Sequence, residues 1–200
     1  MSLQSEIEIT CPKCSSQVSF TKWDSVNVSL DPEQKPKILD SSFFNVTCLT
    51  CMINLFVPYG FLYHDMEQKI MIFFDKDETS ESENEMLTLP SNLFFKNTQT
   101  KYKLRKVHGV NRLKEKILIF DFNLDDVTME RVKFGMTFWL IQQKSLTNYP
   151  KIYFNKRNDN TFEFYIKEEN QDGYVAEIEM SLYNELDKLI QLKNANINEG

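Results

Sequence analysis

The sequence predicts an α+β protein: an N-terminal antiparallel zinc ribbon with a short inserted helix, followed by a helical segment, a β-meander and a C-terminal helix. Three observations carry this prediction. All four cysteines fall in two pairs, Cys11-Pro12-Lys13-Cys14 and Cys48-Leu49-Thr50-Cys51. Alternating apolar residues flank both pairs, as half-buried strands require. Further along, the apolar spacing changes to every third or fourth residue, the period of a helix, before alternation returns.

Taken in order, Ile7 and Ile9 alternate with Glu6, Glu8 and Thr10 and predict a strand entering the first pair. Val18, Phe20, Val26, Val28 and Leu30 continue as strands after it. Asp31-Pro32-Glu33 carries a capping acceptor, a proline and an acid, so it predicts a helix start, with Pro36 keeping that helix short. Phe43, Phe44 and Val46 lead into the second pair, and Leu55, Val57 and Tyr59 leave it. Phe61–Tyr63 and Ile70–Phe74 are expected to pair as a hairpin across residues 64–69. Tyr102, Leu104 and Val107 suggest a further strand.

Asn111 can cap a helix bearing Leu113, Ile117, Leu118 and Phe120. Asp125 or Asp126 can open a second helix, with Val127, Val132, Met136, Trp139 and Leu140 toward the core and Tyr149-Pro150 ending it. Residues 151–157 and 162–168 alternate around Asn158-Asp159-Asn160, and Asp172-Gly173 turns the chain into Tyr174–Met180. Ser181 then caps a last helix carrying Leu182, Leu186, Leu189 and Ile190. The terminal residues Met1-Ser2-Leu3 and Glu199-Gly200 are given no structural role.

The cysteine pairs name a chemistry. Each Cys-x-x-Cys lets a tight turn aim two sulfurs at one point, and two such turns complete a tetrahedron. That is the coordination of a closed structural Zn²⁺ site, with Zn–S distances of roughly 2.3 Å. Cys11, Cys14, Cys48 and Cys51 are therefore the expected ligands, and Zn²⁺ the expected metal. Residues 15–47 exceed the ~15–20 residues of a compact ribbon, hence the inserted helix. The rival readings are two disulfides, a redox dithiol, an iron–sulfur cluster or four unrelated buried thiols. The polar, acidic start (Gln4, Glu6, Glu8) is read as carrying no secretory signal, so a disulfide framework lacks its oxidising compartment. Strand-like Val18, Phe20 and Trp23 after the first pair disfavour a thioredoxin-like strand–helix junction.

Charge divides the chain. Residues 75–90 set Lys76 against Asp75, Asp77, Glu78, Glu81, Glu83 and Glu85, with little to bury between them. They are read as an acidic linker or loop separating a ribbon domain, 1–74, from an α+β domain, 91–200. No apolar run reaches the ~18–20 residues of a membrane span, and a cytoplasmic protein is expected.

Ile9-Thr10-Cys11-Pro12-Lys13-Cys14, Trp23-Asp24-Ser25-Val26-Asn27 with Asp31-Pro32, Cys48–Cys51 and Phe61-Leu62-Tyr63-His64-Asp65-Met66 together resemble the bacterial and archaeal CpXC family. Glu115–Asp121, followed by Leu124-Asp125-Asp126, is similar to the helical part of its longer members, so the likeness covers roughly residues 7–140. The resemblance implies a zinc-binding domain without an established activity, and no catalytic residues. Leu49 departs from it, standing where the second proline is expected. Ser15 and Met52 follow the pairs where knuckles often have glycine, in a conformation that costs a residue with a Cβ roughly 1–2 kcal/mol.

Other polar residues carry weaker signals. His64 and Asp65 sit between apolar stretches, where hairpin structure is the more ordinary role than acid–base work. His108 lies in a turn beside Gly109. Asp121, Asp125 and Asp126 suggest caps before they suggest a cation site. Five glycines and no phosphate loop argue against nucleotide binding. Lys96, Lys101, Lys103, Arg105, Lys106, Arg112, Lys114 and Lys116 stand against Glu115 alone and could neutralise phosphates, though the acidic stretch upstream could pair with them. The expected function is a non-enzymatic module that binds another macromolecule, first a protein. The alternatives are a nucleic-acid-binding regulator using residues 96–116 and a thiol redox enzyme.

Overall fold

The computed structural model describes residues 2–76, 102–144, 148–168 and 172–188. Its chain divides into two compact units, Met1–Lys114 and Glu115–Gly200.

In the first unit, β1 (Leu3–Thr10) and β2 (Gln17–Asn27) form an antiparallel hairpin whose turn is the first cysteine pair. Helix α1 (Gln34–Asp40) and a 3₁₀ turn (Ser42–Phe44) follow. Strands β3 (Asn45–Thr47) and β4 (Asn54–Phe56) pair antiparallel around the second cysteine pair. The expected hairpin forms as β5 (Phe61–Asp65) and β6 (Ile70–Asp75), and β7 (Lys103–His108) completes a sheet in the order β1-β2-β5-β6-β7.

This sheet is mixed, which corrects the all-antiparallel expectation. β2 runs parallel to β5, and β6 runs parallel to β7. A parallel pair needs a long crossover. Residues 28–60, with α1, the 3₁₀ turn and the β3–β4 hairpin, supply one between β2 and β5.

The expected division at 75–90 also shifts. β7 lies beyond the acidic stretch yet pairs with β6 from Ile70↔Lys103 to Asp75↔His108, and the units part after Lys114. Closure entropy grows only slowly with loop length, so a long charged connection does not stop a strand from rejoining its sheet. Most of the acidic stretch, from residue 77 on, lies outside the described residues.

Two local expectations change as well. Pro36 sits in the first turn of α1, where its missing N–H costs no hydrogen bond, and the helix ends instead at Ser41 in a left-handed conformation (φ 72°). Ser2 and Leu3 do have structural roles. Leu3 begins β1, and the Ser2 hydroxyl accepts the Asn27 N–H at 2.9 Å while donating to Asp31.

The 3₁₀ turn drives Phe43 and Phe44 into an aromatic core with Tyr59, Phe61 and Phe74, ring centroids 5.1–6.2 Å apart. Such pairs add ~0.5–1.5 kcal/mol each to the burial of their rings. Tyr59 also accepts the Trp23 N–H at 3.1 Å, so its polar end is satisfied; burial pushes that phenol up to about 12.

The second unit takes in the later part of α2 (Val110–Asp121), then α3 (Asp126–Lys144) and the strands β8 (Lys151–Arg157), β9 (Thr161–Lys167) and β10 (Tyr174–Glu179). The strands form the expected antiparallel meander, β10-β9-β8, and residues 180–188 are helical. Leu189 and Ile190 lie outside the described residues. A Cβ on Gly173 would fall 2.0 Å from the Tyr165 hydroxyl oxygen, so the Tyr165 ring would have to move for a larger residue to stand where β10 begins. Phe154, Phe162 and Phe164 fill the sheet's inner face, with Tyr183 edge-on to Phe162 at 5.4 Å.

Helix α3 buries Val132 and Leu140 on the side expected from its sequence and leaves Met136 half-buried there, but two of the expected core residues are not covered. Met129, Val132 and Leu140 are buried, whereas Val127 and Trp139 are exposed. Charged groups join the helix to its neighbour on the buried side. Asp126 is buried and accepts Lys116 at 3.1 Å. Lys133 reaches buried Glu115 at 2.9 Å, and the same carboxylate accepts the Phe154 N–H at 2.7 Å. Burial pushes Glu115 up against the pull of Lys133. Burial alone would lower Lys133, but the facing carboxylate carries it above its ordinary value. Removing one partner of such a buried pair costs roughly 3–5 kcal/mol, because the other charge is left buried and uncompensated.

Candidate metal centre

The two cysteine turns have the same backbone. In the first, the Cys11 N–H donates to Ser16 O at 2.9 Å and the Ser15 N–H to Cys11 O at 2.9 Å. In the second, the Cys48 N–H donates to Ile53 O at 2.9 Å and the Met52 N–H to Cys48 O at 2.8 Å. Ser15 (φ 60°) and Met52 (φ 58°) both take the left-handed conformation anticipated from their positions. Backbone N–H groups then turn toward sulfur: Ser16 toward Cys14, Ile53 toward Cys51, and Thr50 and Cys51 toward Cys48.

The geometry brings all four Sγ atoms within 4.8 Å of one another. Across the two turns, Cys11 and Cys51 stand 3.6 Å apart, as do Cys14 and Cys48. A tetrahedron of sulfurs about 2.3 Å from a central ion has an edge of about 3.8 Å. A disulfide needs about 2.05 Å, and the four cysteines are unbonded. The donor set therefore fits a tetrahedral metal ion. Cys11 and Cys48 are buried and Cys14 and Cys51 half-buried, within an apolar shell of Ile9, Val18, Val46, Ile53, Leu55 and Val57 that restricts water.

Sequence reasoning passed over Ser16. Its hydroxyl lies 3.1 Å from Cys14 Sγ and 3.3 Å from Cys48 Sγ, one sulfur from each turn. That contact is the leading reason Cys48 falls to about 5, while burial pushes Cys51 up to about 12. The only signal was a hydroxyl residue two places after the second cysteine, in a position that the second turn fills with Ile53.

The other expected residues do not join this site. His64 Nε2 meets the Tyr102 hydroxyl at 3.2 Å, and burial lowers its pKa. Asp65 accepts the Gln68 N–H at 3.0 Å and lies 3.8 Å from Lys35 Nζ. Buried Asn27 donates to Met66 Sδ at 2.9 Å, and the Val28 N–H donates to His64 O, so these contacts fasten the end of β2 to the parallel strand β5. His108 Nδ1 stands 3.8 Å from Asp75. Asp125 caps α3 through the Thr128 N–H at 2.8 Å. Asp126 is bound to Lys116, and Asp121 is exposed.

The basic stripe is dispersed. Alternation along β7 sends Lys103 and Arg105 to one face and Lys106 to the other. Lys114 lies near Asp40 and is lowered by burial, and Lys116 is buried in its ion pair. Lys96 and Lys101 lie outside the described residues. Among the described residues, no helix is long and apolar enough to cross a membrane.

A family model described as CpXC protein matches residues 9–133, more than half of the chain. No curated protein and no solved structure matches it.

Proposed function

The chain belongs to the CpXC family, and on that premise we propose a structural zinc protein that acts as a non-enzymatic binding module for another protein. One observation carries the reading: four thiols converge at tetrahedral spacing inside an apolar shell. Four thiolates complete the shell of Zn²⁺ and leave no position for substrate or activated water. The bound ion supplies a cross-link between the β1–β2 and β3–β4 hairpins. The residues do the rest: N–H groups and the Ser16 hydroxyl support the sulfurs, and the shell keeps water away. Unbonded thiols are in keeping with a reducing, cytoplasmic compartment.

Nucleic-acid binding has less support, since the basic residues divide between two strand faces and a helix and Lys116 is already paired. Thiol redox chemistry would require the cysteines to be free of metal.

Elemental analysis of protein purified without chelator is expected to find one zinc per chain. Metal-free protein after zinc reconstitution, or a different metal, would overturn the metal assignment. Affinity capture of the tagged full chain, with and without nuclease, tests the partner class. A stoichiometric protein that survives nuclease is expected. Capture lost to nuclease would favour the nucleic-acid reading, and disulfide turnover by zinc-free protein the redox one.

A further inference from the structure

Each half of the metal centre sets a sheltered sulfur beside an open one. Across the two turns, buried Cys11 stands 3.6 Å from half-buried Cys51, and buried Cys48 stands 3.6 Å from half-buried Cys14. A disulfide needs about 2.05 Å, so either pair would close by a shift of about 1.5 Å between the turns. Oxidation-sensing cysteines have this arrangement: one thiolate that solvent reaches, and beside it a second thiol that resolves the oxidised sulfur. Here it occurs twice, and each time the two sulfurs belong to different hairpins.

On the zinc reading of the site, we infer that the centre is a peroxide-responsive switch. Cys14 and Cys51 are oxidised first, and Cys48 and Cys11 resolve them as two cross-turn disulfides that release the ion. A half-buried thiolate that slips from the ion attacks one oxygen of hydrogen peroxide. The S–O bond forms, the O–O bond breaks, and the departing hydroxide takes a proton to become water. The buried thiolate then attacks the sulfenic sulfur; the S–S bond forms, the S–O bond breaks, and a second hydroxide leaves and is protonated. Each pair of sulfurs gives up two electrons, and one peroxide with two protons from solvent becomes two waters. Once both pairs have reacted, no thiolate remains to hold the ion. This is one stoichiometric oxidation, unlike the repeated disulfide turnover of a redox enzyme.

The backbone favours joining across the turns over joining within one. Cys11 is held by its N–H to Ser16 O and by the Ser15 N–H at its carbonyl, and Cys48 likewise by Ile53 O and the Met52 N–H. Drawing together the two sulfurs of one turn works against those bonds, whereas a cross-turn bond moves one hairpin end toward the other. The product links the β1–β2 and β3–β4 hairpins where the ion linked them, so the fold survives and reduction reverses the change.

Hydrogen peroxide added stepwise to the zinc-loaded full chain tests the switch. Zinc release is read with a chromogenic chelator, the fold by circular dichroism, and the disulfides by mass spectrometry after non-reducing proteolysis. Trypsin cuts after Lys13 and chymotrypsin after Leu49, which separates the two cysteines of each turn. The expected result is complete loss of zinc in step with peptides joining Cys11 to Cys51 and Cys14 to Cys48, with unchanged circular dichroism. A phosphine reductant should then restore full zinc uptake. Disulfides within a turn, sulfinic acids that the reductant leaves behind, or zinc retained under excess peroxide would each overturn the switch. A chain that held no zinc before peroxide would overturn the metal assignment instead, and the disulfide map of that same chain would still decide the pairing.

Discussion

In both cysteine turns the residue after the second cysteine is left-handed and non-glycine, and the same backbone hydrogen bonds close the loop. Side chains separate them. The first turn sends the Ser16 hydroxyl between Cys14 and Cys48, whereas the second has Ile53 at that place and leaves Leu49 and Met52 85% and 73% exposed. The backbone is thus common property of the turn, and the polar support of the sulfurs comes from one side. The departure from the CpXC pattern at Leu49 falls on a side chain that faces solvent, and so does the non-glycine residue Met52.

Removing a sulfur erases the comparison. Cys48→Ser takes away a buried sulfur that touches Ser16 and Cys14 together. Apparent zinc-binding energies are on the order of 10–16 kcal/mol, so the variant is expected to retain no zinc and to lose cooperative melting of residues 2–76, read by elemental analysis and thermal denaturation. Full retention of zinc would show that the turns do not share an ion.

Acid should undo the site in a defined direction. Cys48, at about 5, is already a thiolate at neutral pH, whereas Cys51, at about 12, keeps its proton until a metal displaces it. Zinc uptake therefore releases protons, and affinity in a chelator competition should rise with pH from 6 to 8. Below about 5, protonation of Cys48 should steepen the loss. Affinity independent of pH would contradict this picture.

Ser16→Ala tests the one-sided support. It removes a hydroxyl shared by two sulfurs, the leading influence that lowers Cys48. The Cys48 thiol of the metal-free protein should titrate at higher pH, followed by thiolate absorbance. An unchanged titration would mean that the N–H groups of Thr50 and Cys51 suffice.

The smallest effect sharpens the likeness. Ser15→Gly and Met52→Gly each relieve a left-handed residue of roughly 1–2 kcal/mol, partly offset by about 0.5–1 kcal/mol of glycine entropy. Both should raise the melting temperature slightly and by similar amounts. A gain in one turn alone would mean that its partner's side chain does more than its exposure suggests.

Much of this was legible in the chain. Cysteine spacing pointed to the four thiols that the fold brings together, because two Cys-x-x-Cys turns each aim a pair of sulfurs at one point. Local alternation and turn chemistry located β5–β6, the β8–β10 meander and the Asp125 cap, since each depends on residues near in sequence. Tertiary structure decided the parallel pairings of β2 with β5 and β6 with β7, which long connections permit and no local pattern announces. It decided the reach of Ser16 to a sulfur 32 residues away. It also joined α3 to Glu115 and Lys116, which lie on another helix, and left the expected core residues Val127 and Trp139 exposed. Hydrophobic period tells that a helix has a face to bury; the charged partners that meet it there come together only once the chain has folded.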